Sequence, residues 1–360
     1  MCGITGIVSF NDQQIDQIAL IRMRDSLSHR GPDDSGVYAN DKRTVAFGHR
    51  RLSIIDLSER GHQPMSGENG NLWIVFNGEI YNFLELRKEL KSLGHSFSSS
   101  SDTEVIINAY SEWGEQCFEK LSGMFAFSIY DKQKNLLFLV RDHAGIKPLY
   151  YSITKDRLVF SSEVRALKSF ESSWDEFDDW RIYFLTFGHI PEPYTTLKDV
   201  FMLPKGSFMR LDTTSGKFSV SEFTELKYSE KISDESEAIQ LVRDTFTKAV
   251  ERHLISDAPI GVFLSGGIDS SLIALLAHKF QGDNLRTLSV VFNEKEYSED
   301  YYQNIVRDRL SSRHKSYLVT ENDFLDNLDD IFESILSQWT SHLLTGSILI
   351  SLRSARRKRV

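Results

Sequence analysis

The chain has 360 residues and a formal net charge of -9, and 41% of its residues are hydrophobic while 26% are charged. This composition is typical of folded globular proteins, and the length favours two domains over a single core. The acidic balance argues against a nucleic-acid partner bound by bulk electrostatics, and no apolar run approaches the roughly 20 residues that span a bilayer. The start of the chain also lacks a signal-peptide pattern, so we expect a cytoplasmic protein that acts on small molecules.

The first 160 residues are rich in short apolar runs that are broken by Gly, Asn and Asp, a pattern typical of strands. The predicted strands cover residues 6–10, 71–76, 124–130 and 136–141. Apolar residues at helical spacing predict two helices, at 82–93 and 103–113. Together these elements indicate an α+β domain in which helices pack on antiparallel sheets.

Residues 172–225 are irregular, with three prolines and one predicted strand at 206–211, and we interpret them as a connecting region. A different pattern, in which helices alternate with strands, begins near residue 226. The elements predicted there are a helix at 234–254 with Ser233 as its N-cap, a buried strand at 259–264, a helix at 271–280 and a strand at 287–292. A strand, a loop, a helix and a second strand make a βαβ unit, which predicts the start of a parallel sheet.

The second residue is a cysteine, and the chain contains one other, Cys117. Removal of Met1 would give Cys2 a free α-amino group, whose pKa of about 7.7 to 8 suits a general base. The nucleophilic thiol and its base would then belong to one residue. A chance cysteine at a frayed terminus is the alternative. Cys117 lies in an apolar helical stretch and is predicted to be a buried side chain rather than a second nucleophile.

Seven short motifs follow one another in the first half of the chain. They are MCGITG at 1–6, SHRGPDD at 28–34, GHRRLSIIDLS at 48–58, FNGEIYN at 76–82, SSDTE at 100–104, GMFAF at 123–127 and RDHAGIKPLYY at 141–151. In this order they resemble the class II glutamine amidotransferases, an N-terminal nucleophile family with a four-layer αββα sandwich. The resemblance implies that residues 1–225 form a glutaminase domain.

The same resemblance implies the residues that perform the chemistry. Cys2 matches the nucleophile, and the Asn77 side chain with the Gly78 amide matches the oxyanion hole, whose donors typically contribute about 2.7 to 4 kcal/mol to the transition state. By themselves, Asn77 and Gly78 would also fit an ordinary turn after a strand. The catalytic set is therefore Cys2, Asn77 and Gly78.

The charged ends of glutamine have matching residues as well. Arg51 matches the ligand of the α-carboxylate, because a guanidinium fork pairs with a carboxylate in a bidentate manner. Glu79 and Asp102 match the residues that hold the α-ammonium, whereas Arg50 is predicted to be a solvated surface charge. The implied glutamine-binding set is Arg51, Leu52, Ser53, Ile54, Ile55, Asn77, Gly78, Glu79 and Asp102.

In the second half, GVFLSGGIDSS at residues 261–271 lies between a predicted strand and a predicted helix. Glycines and serines at a helix N-terminus suit phosphate oxygens, although the loop lacks the lysine of a Walker A motif. It resembles the pyrophosphate loop of the ATP pyrophosphatases, which transfer AMP to a carboxylate. The resemblance implies a partial α/β parallel-sheet domain of the adenine nucleotide alpha hydrolase type at residues 226–360. The implied ATP-binding set is Leu264, Ser265, Gly266, Gly267, Asp269, Ser270, Ser271 and Val290, with Asp269 as the Mg²⁺ ligand.

A class II glutaminase followed by this loop is the domain order of the asparagine synthetases. The resemblance implies glutamine, aspartate and ATP as substrates: ammonia released by Cys2 attacks β-aspartyl-AMP to give asparagine. An asparagine-synthetase-like enzyme that amidates another carboxylate is one alternative, and a remnant with glutaminase activity or ligand binding only is another. The family is compatible with a homodimer, and the residues do not decide the oligomeric state.

Beyond about residue 337 the resemblance stops. The end of the chain, WTSHLLTGSILISLRSARRKRV at residues 339–360, stands where the family has a segment resembling MDQPSIDGVNTYF. With suitable codons, a one-base shift at Gln338 converts one sequence into the other, so residues 339–360 are predicted to be a frame-shifted tail. A natural basic tail is the alternative. We expect the shortened synthetase domain to be unstable and to lose asparagine formation, with glutaminase activity retained.

Overall fold

The structure is a computed structural model that describes residues 1–171, 173–224, 232–294, 296, 298–310 and 312–329. The chain divides into two compact units. The predicted boundary at residues 225 and 226 and the predicted frame-shifted tail at residues 339–360 lie outside the described residues. Among the helices of the described residues, none is long and apolar enough to cross a membrane.

The described part of the first unit, residues 1–224, forms two antiparallel sheets of six strands each. The strands are β1 (Gly3–Ser9), β2 (Asp34–Ala39), β3 (Val45–Arg51), β4 (Met65–Ser66), β5 (Leu72–Ile80), β6 (Gly123–Asp131), β7 (Leu136–Arg141), β8 (Tyr150–Ile153), β9 (Arg157–Ser161), β10 (Phe201–Met202), β11 (Ser207–Asp212) and β12 (Phe218–Glu222). The helices are α1 (Gln17–Asp25), α2 (Phe83–Ser92), α3 (Asp102–Trp113), α4 (Cys117–Lys120), α5 (Val164–Phe170) and α6 (Trp180–Phe187), with short 3₁₀ turns at Glu59–Gly61 and Gly114–Gln116. The first sheet has the order β10-β8-β9-β1-β3-β2, and the second has the order β12-β11-β7-β6-β5-β4.

The apolar faces of the two sheets pack against each other. One buried cluster joins Ile4 and Phe47 of the first sheet to Val75 and Leu139 of the second. These side chains alternate with outward-facing residues along their strands, as expected where one face of a sheet is covered by another sheet. The core between the sheets fixes the ends of β1 and β5, where the predicted nucleophile and oxyanion hole lie.

Helices cover the outer face of each sheet. Leu20 and Met23 of α1 and Leu167 of α5 pack on the first sheet in a second buried cluster. Helix α3 contacts β5 on the second sheet and α2 packs on α3. The four layers confirm the predicted αββα sandwich. They also confirm that Cys117 is a buried side chain, since it is fully inaccessible and burial raises the pKa of its thiol.

The predicted strands and helices before residue 142 are confirmed to within a few residues at their ends. The strand predicted at residues 206–211 is confirmed as β11, but the interpretation of the rest of residues 172–225 as irregular is wrong, because they also form α6 and β12. Strands β11 and β12 extend the second sheet through the pairing of β11 with β7. Phe208 pairs with Val140 across this ladder. Its backbone hydrogen bonds join segments far apart in the sequence, which a local pattern does not report.

The second unit contains a three-stranded parallel sheet in the order β13-β14-β15 within the described residues. Its elements are α7 (Glu235–His253), β13 (Gly261–Phe263), α8 (Ile268–Gln281), a 3₁₀ turn at Gly282–Asn284, β14 (Arg286–Phe292), α9 (Asp300–Arg309), β15 (Arg313–Val319) and α10 (Glu321–Leu325). The parallel pairing of β13 with β14 through α8 confirms the predicted βαβ unit.

Three details of the second-unit prediction are wrong. The N-cap of α7 is Asp234, which accepts a hydrogen bond from the Glu237 amide at 2.8 Å, and not Ser233. Helix α8 begins three residues earlier than predicted, at Ile268, so the end of the phosphate-type motif belongs to its first turn. Strand β13 is not buried, because Phe263 is 55% exposed. An apolar run predicts burial only where another layer covers it.

Candidate active site

The thiol of Cys2 lies at the start of β1, in contact with the loop that follows β3. Its Sγ is 3.4 Å from the amide nitrogen and 3.6 Å from the carbonyl oxygen of Leu52. The next residue, Gly3, packs so closely that a Cβ there would meet the Leu27 Cβ at 2.8 Å. Close packing on both sides therefore fixes the position of the predicted nucleophile.

Burial controls the protonation of this end of the chain. It raises the pKa of the Cys2 thiol, which the Leu52 amide, the terminal amino group, Arg30 and Lys147 oppose. Burial also lowers the pKa of the Met1 amino group to about 5, so this amine is uncharged at neutral pH in the chain that keeps Met1. The combination suits a thiol that loses its proton to a neighbouring amine as it attacks.

Strand β5 presents the predicted oxyanion hole. Asn77 and Glu79 alternate with Gly78, so their side chains lie on one side of the strand. Gly78 is required by the pairing with β6, because a Cβ there would clash with the carbonyl oxygen of Met124. The Asn77 side chain is 1% exposed, and its Nδ2 has no hydrogen-bond acceptor within the described residues. A buried amide donor without an acceptor is costly, which is the state expected of a donor kept for a ligand.

Arg51, at the end of β3, is 6% exposed and is held by backbone carbonyls. Its Nη1 donates to the Ser58 oxygen at 2.9 Å, and its Nη2 donates to the oxygens of Ile55 (3.4 Å) and Asp56. Gly61 leaves room for the guanidinium, because a Cβ there would clash with Nη2. Nε–H and one N–H on Nη1 remain without an acceptor in the described part of the chain, so the guanidinium can still donate to an anion.

Two buried acids lie near each other beside the oxyanion hole. Asp102, the first residue of α3, accepts a hydrogen bond from the Ile80 amide at 3.0 Å. Burial, together with the negative charge of Glu79, raises the pKa of Asp102 to about 7. A cation placed between these carboxylates would relieve their repulsion, so the pair suits an ammonium group.

These groups surround one cavity of about 160 Å³. It is lined by Met1, Cys2, Arg51, Leu52, Ile54, Ile55, Gly61, Gln63, Phe76, Asn77, Gly78, Glu79, Ser101, Asp102, Thr103, Met124 and Lys147. The cavity therefore brings together every residue predicted for the glutaminase site except Ser53, whose amide donates to Asp33 at 2.9 Å. Arg50 is not a solvated surface charge as predicted, since its side chain is only 19% exposed and donates to the Gly31 oxygen at 3.1 Å.

Sequence reasoning missed several lining residues, above all Lys147, which is 5% exposed. Its segment, RDHAGIKPLYY, carries the family resemblance, but no local pattern marks this lysine as buried. Gly61 and Gln63 were also missed. Gln63 accepts a hydrogen bond from the Phe76 amide at 2.7 Å and so holds β5 beside the cavity.

The second predicted site, in the second unit, is a compact loop between β13 and α8. Ser265 Oγ lies 2.9 Å from Ser270 Oγ, and the Ser271 hydroxyl donates to the Gly267 oxygen at 2.7 Å. Gly266 has φ +93°, a backbone conformation that L side chains rarely adopt. These contacts fix the loop at the N-terminus of α8. The backbone N–H groups at a helix N-terminus suit an anion.

At the two predicted adenine-binding positions, Leu264 and Val290, backbone groups already form hydrogen bonds within the protein. The Leu264 amide donates to Leu288 at 2.7 Å, and its carbonyl accepts from the Ser289 hydroxyl at 2.7 Å. The Val290 carbonyl accepts from Gln303 Nε2 at 3.0 Å. Each carbonyl keeps a second lone pair for a ligand.

Asp269 is exposed on the first turn of α8. Within the described residues, His, Cys, Asp and Glu side chains form no group of three that could hold a metal. The donors present fit Mg²⁺ only in its usual nucleotide-bound form, in which one or two carboxylates share the ion with substrate phosphates.

Comparisons with known proteins agree with this arrangement. A glutamine amidotransferase domain family matches residues 1–224, and an asparagine synthase family matches residues 241–359. Glutamine-hydrolysing asparagine synthetase 1 of Bacillus subtilis is 37% identical over 334 residues, 92% of this chain and 52% of its own. The chain belongs to the glutamine-hydrolysing asparagine synthetase family. A Methanocaldococcus jannaschii member with the provisional name asparagine synthetase 2 is 34% identical over 349 residues, 91% of this chain and 67% of its own.

The chain spans about half to two thirds of the length of these asparagine synthetase relatives. Among solved structures, glutamine phosphoribosylpyrophosphate amidotransferase from B. subtilis matches with a TM-score of 0.49 and 15% identity, covering 89% of this chain and 81% of that one.

Proposed function

We propose that the first unit hydrolyses glutamine to glutamate and ammonia, with Cys2 as the nucleophile. The observation that carries the proposal is the buried Asn77 Nδ2, which lacks a protein acceptor and lines the same cavity as the Cys2 thiol. A thiol and an uncommitted amide donor around one small cavity suit acyl transfer, because negative charge gathers on the substrate oxygen as the thiolate attacks.

The reaction proceeds in two steps. Removal of Met1 gives Cys2 a free amino group, which takes the thiol proton while Sγ attacks the side-chain amide carbon of glutamine. Asn77 Nδ2 and the Gly78 amide donate to the oxygen of the tetrahedral intermediate. The C–N bond breaks, the nitrogen takes the proton and leaves as ammonia, and a thioester remains. Water then hydrolyses the thioester to glutamate and restores the thiol.

The charged ends of the substrate have complementary groups in the cavity. Arg51 donates to the α-carboxylate through an N–H group that has no acceptor among the described residues. Glu79 and Asp102 hold the α-ammonium between them. These three residues select glutamine as a free amino acid, because a peptide-bound glutamine would bring neither charge.

For the whole protein we propose glutamine-dependent asparagine synthesis, on the strength of the family and the loop. ATP and aspartate react to β-aspartyl-AMP and pyrophosphate, and ammonia then displaces AMP to give asparagine. Ser265, Gly266, Gly267, Ser270 and Ser271 cradle the pyrophosphate. Leu264 and Val290 contact adenine. Mg²⁺, held by Asp269 and the phosphates, would neutralise the charge that develops on the leaving pyrophosphate.

Amidation of a different carboxylate is the alternative within the family, and glutaminase activity or ligand binding alone is the alternative outside synthesis. The decisive experiment measures ammonia release from glutamine by the wild-type chain and by Cys2→Ala, with and without aspartate and ATP. We expect release that disappears in Cys2→Ala. Release that survives this substitution would contradict the proposal, and product analysis with aspartate, ATP and Mg²⁺ tests the synthesis of asparagine.

A further inference from the structure

A buried lysine, Lys147, lies in the wall of the glutamine cavity and has no role in the reaction described above. It follows β7 in the chain and is 5% exposed. Lysine is almost never fully buried without a partner, because taking an ammonium group out of water is expensive. Its place beside Cys2, Asn77 and Glu79 therefore needs a chemical explanation.

The backbone around Lys147 is fixed by two buried side chains at the end of β7. Asp142 Oδ2 accepts hydrogen bonds from the amides of Lys147 at 2.9 Å and Phe125 at 3.1 Å. Arg141 donates through Nε to the Lys147 oxygen at 2.9 Å and through Nη2 to the Gly145 oxygen at 2.7 Å. Since this turn is anchored on both sides, the lysine side chain enters the cavity from a defined position.

The ammonium group of Lys147 donates no hydrogen bond and forms no ion pair with another described residue. Burial lowers the pKa of this ammonium group and Arg30 lowers it further, whereas Glu79, Cys2 and Asp142 raise it. Glu79 stands opposite the predicted ammonium of glutamine, and Asp142 is committed to backbone amides. Bound substrate would therefore compensate Glu79, leaving the Cys2 sulfur as the group whose negative charge Lys147 can balance.

Before the thiol proton moves, the other charged groups around Cys2 are paired or uncharged. Arg30 donates to the Cys2 carbonyl oxygen at 2.8 Å, but its Nη1 is also paired with the Glu163 carboxylate at 2.8 Å. The Met1 amino group has a pKa lowered to about 5 by burial, and it leaves with Met1 before the reaction. These are the groups that act on the Cys2 thiol besides Lys147 and the Leu52 amide. Lys147 is thus the one cation of this set without a neutralising partner.

We propose that Lys147 is a positioning residue for glutamine hydrolysis, whose buried ammonium stabilises the Cys2 thiolate as the thiol proton moves to the α-amino group. The inference rests on the proposed glutaminase function. Lys147 gives up no proton and forms no bond in this step. Its contribution is electrostatic, and the burial of Lys147 strengthens it because buried charges are screened less by water.

The test compares the pH dependence of Cys2 alkylation in the full chain. Iodoacetamide modification of the N-terminal peptide is followed by mass spectrometry for wild type, Lys147→Met, Lys147→Arg and the exposed-lysine control Lys155→Met. Loss of a nearby opposite charge shifts a pKa by about 1 to 3 units, so the alkylation midpoint of Lys147→Met should move up by at least roughly one pH unit. Lys147→Arg and Lys155→Met should stay near wild type.

Glutamine kinetics provide the second measurement. In Lys147→Met we expect kcat to fall at neutral pH and to recover as the pH rises, with little change in KM. An alkylation profile that matches wild type would overturn the inference, as would a raised KM with an unchanged profile, which would make Lys147 a ligand of the substrate. If Lys147→Met does not fold, Lys147→Gln takes its place against Lys147→Arg. Alkylation needs no turnover, so a wild type without glutaminase activity would refute the proposed function while this comparison still decides the role of Lys147.

Discussion

The carboxylate of Asp102 accepts a hydrogen bond from the backbone amide of Ile80, at 3.0 Å, where β5 ends and α3 begins beside the cavity. This contact joins the strand of the oxyanion hole to the helix that supplies an acid for the substrate ammonium. Burial and the nearby charge of Glu79 raise the pKa of Asp102 to about 7. The substrate-binding charge of this site is therefore expected to vary with pH near neutrality.

We expect the KM for glutamine to rise as the pH falls through about 7, because protonated Asp102 no longer attracts the α-ammonium. In Asp102→Asn the KM should be roughly 10- to 100-fold higher, since a hydrogen bond to a charged group contributes about 1.5 to 3 kcal/mol. The variant should also lose this pH dependence. Steady-state kinetics across a pH series measure both effects, and a wild-type KM that is flat through this range would contradict the assignment.

The same residue predicts a change in stability with pH. The pKa of Asp102 is raised in the folded chain from 3.8 to about 7, so between these values the folded state binds more protons than the unfolded state. Asp102 therefore contributes stability that is fully present below pH 3.8 and is lost as the pH rises through about 7. Denaturant unfolding should show a smaller loss of stability over this window in Asp102→Asn than in wild type.

Asn77→Ala should lower kcat for glutamine hydrolysis by about 10²- to 10³-fold, because it removes a donor to the developing oxyanion. The unfolding free energy should change little, since Asn77 Nδ2 has no acceptor among the described residues to lose. Asn108→Ala is the matched control. That buried amide donates to Ser96 at 3.0 Å, so its removal should cost about 1 kcal/mol of stability and leave kcat unchanged. Equal effects of the two substitutions on kcat would argue against an oxyanion role for Asn77.

Arg30→Met should destabilise the first unit by about 1.5 to 3 kcal/mol at neutral pH, because it removes one of the three cationic partners of the buried Glu163 carboxylate and leaves His29 and Arg165 in place. Burial opposes ionisation of Glu163, but His29, Arg30 and Arg165 outweigh it and lower its pKa from 4.5 to about 2. Because the pKa of Glu163 is lower in the folded chain than in the unfolded chain, the ionised carboxylate stabilises the fold above pH 4.5. This stabilisation is lost as the pH falls towards 2. The difference between variant and wild type should shrink over that window.

Chemical denaturation of Arg30→Met, Glu163→Gln and the double variant measures this coupling. The double variant should recover part of the stability lost in Arg30→Met, because the carboxylate that Arg30 neutralises is then absent as well. Additive losses from the two single substitutions would show that the ion pair is not the cause.

Gly266→Ala should weaken ATP binding by the second unit. The residue has φ +93°, and an added Cβ would lie 3.1 Å from the Tyr302 Cβ, so the loop must distort at a cost of about 1 to 3 kcal/mol. Gly282→Ala is the matched control, because Gly282 also has a positive φ, of +56°, but no described atom lies within 4 Å of the added carbon. Calorimetric titration with ATP should show weaker binding only for Gly266→Ala, and glutamine hydrolysis should be unchanged in both. Equal ATP affinities in the two variants would argue against a phosphate role for the loop.

Sequence patterns predicted the local elements well where a single strand or helix has its own periodicity. The strand at residues 136–141 was predicted with its observed ends, and the βαβ unit around the loop at 261–271 was predicted from the strands and the helix that flank the loop. The prediction included the strand at residues 206–211 but missed β12, whose place in the sheet depends on its pairing with β11. It also failed for the burial of β13, which another layer of structure would have to provide.

The sequence by itself determined the kinds of groups in this protein and their order: a cysteine at position 2, an Asn-Gly pair, acids and an arginine for the ends of an amino acid, and a phosphate-type loop. Chemistry at this level depends on residue type and short spacing, both of which the sequence contains. Only the tertiary structure decided which of these groups share a cavity, which donors lack acceptors and which lysine is buried. Burial, pKa and uncommitted hydrogen bonds are set by contacts between residues as far apart as Cys2 and Lys147, and packing alone brings such residues together.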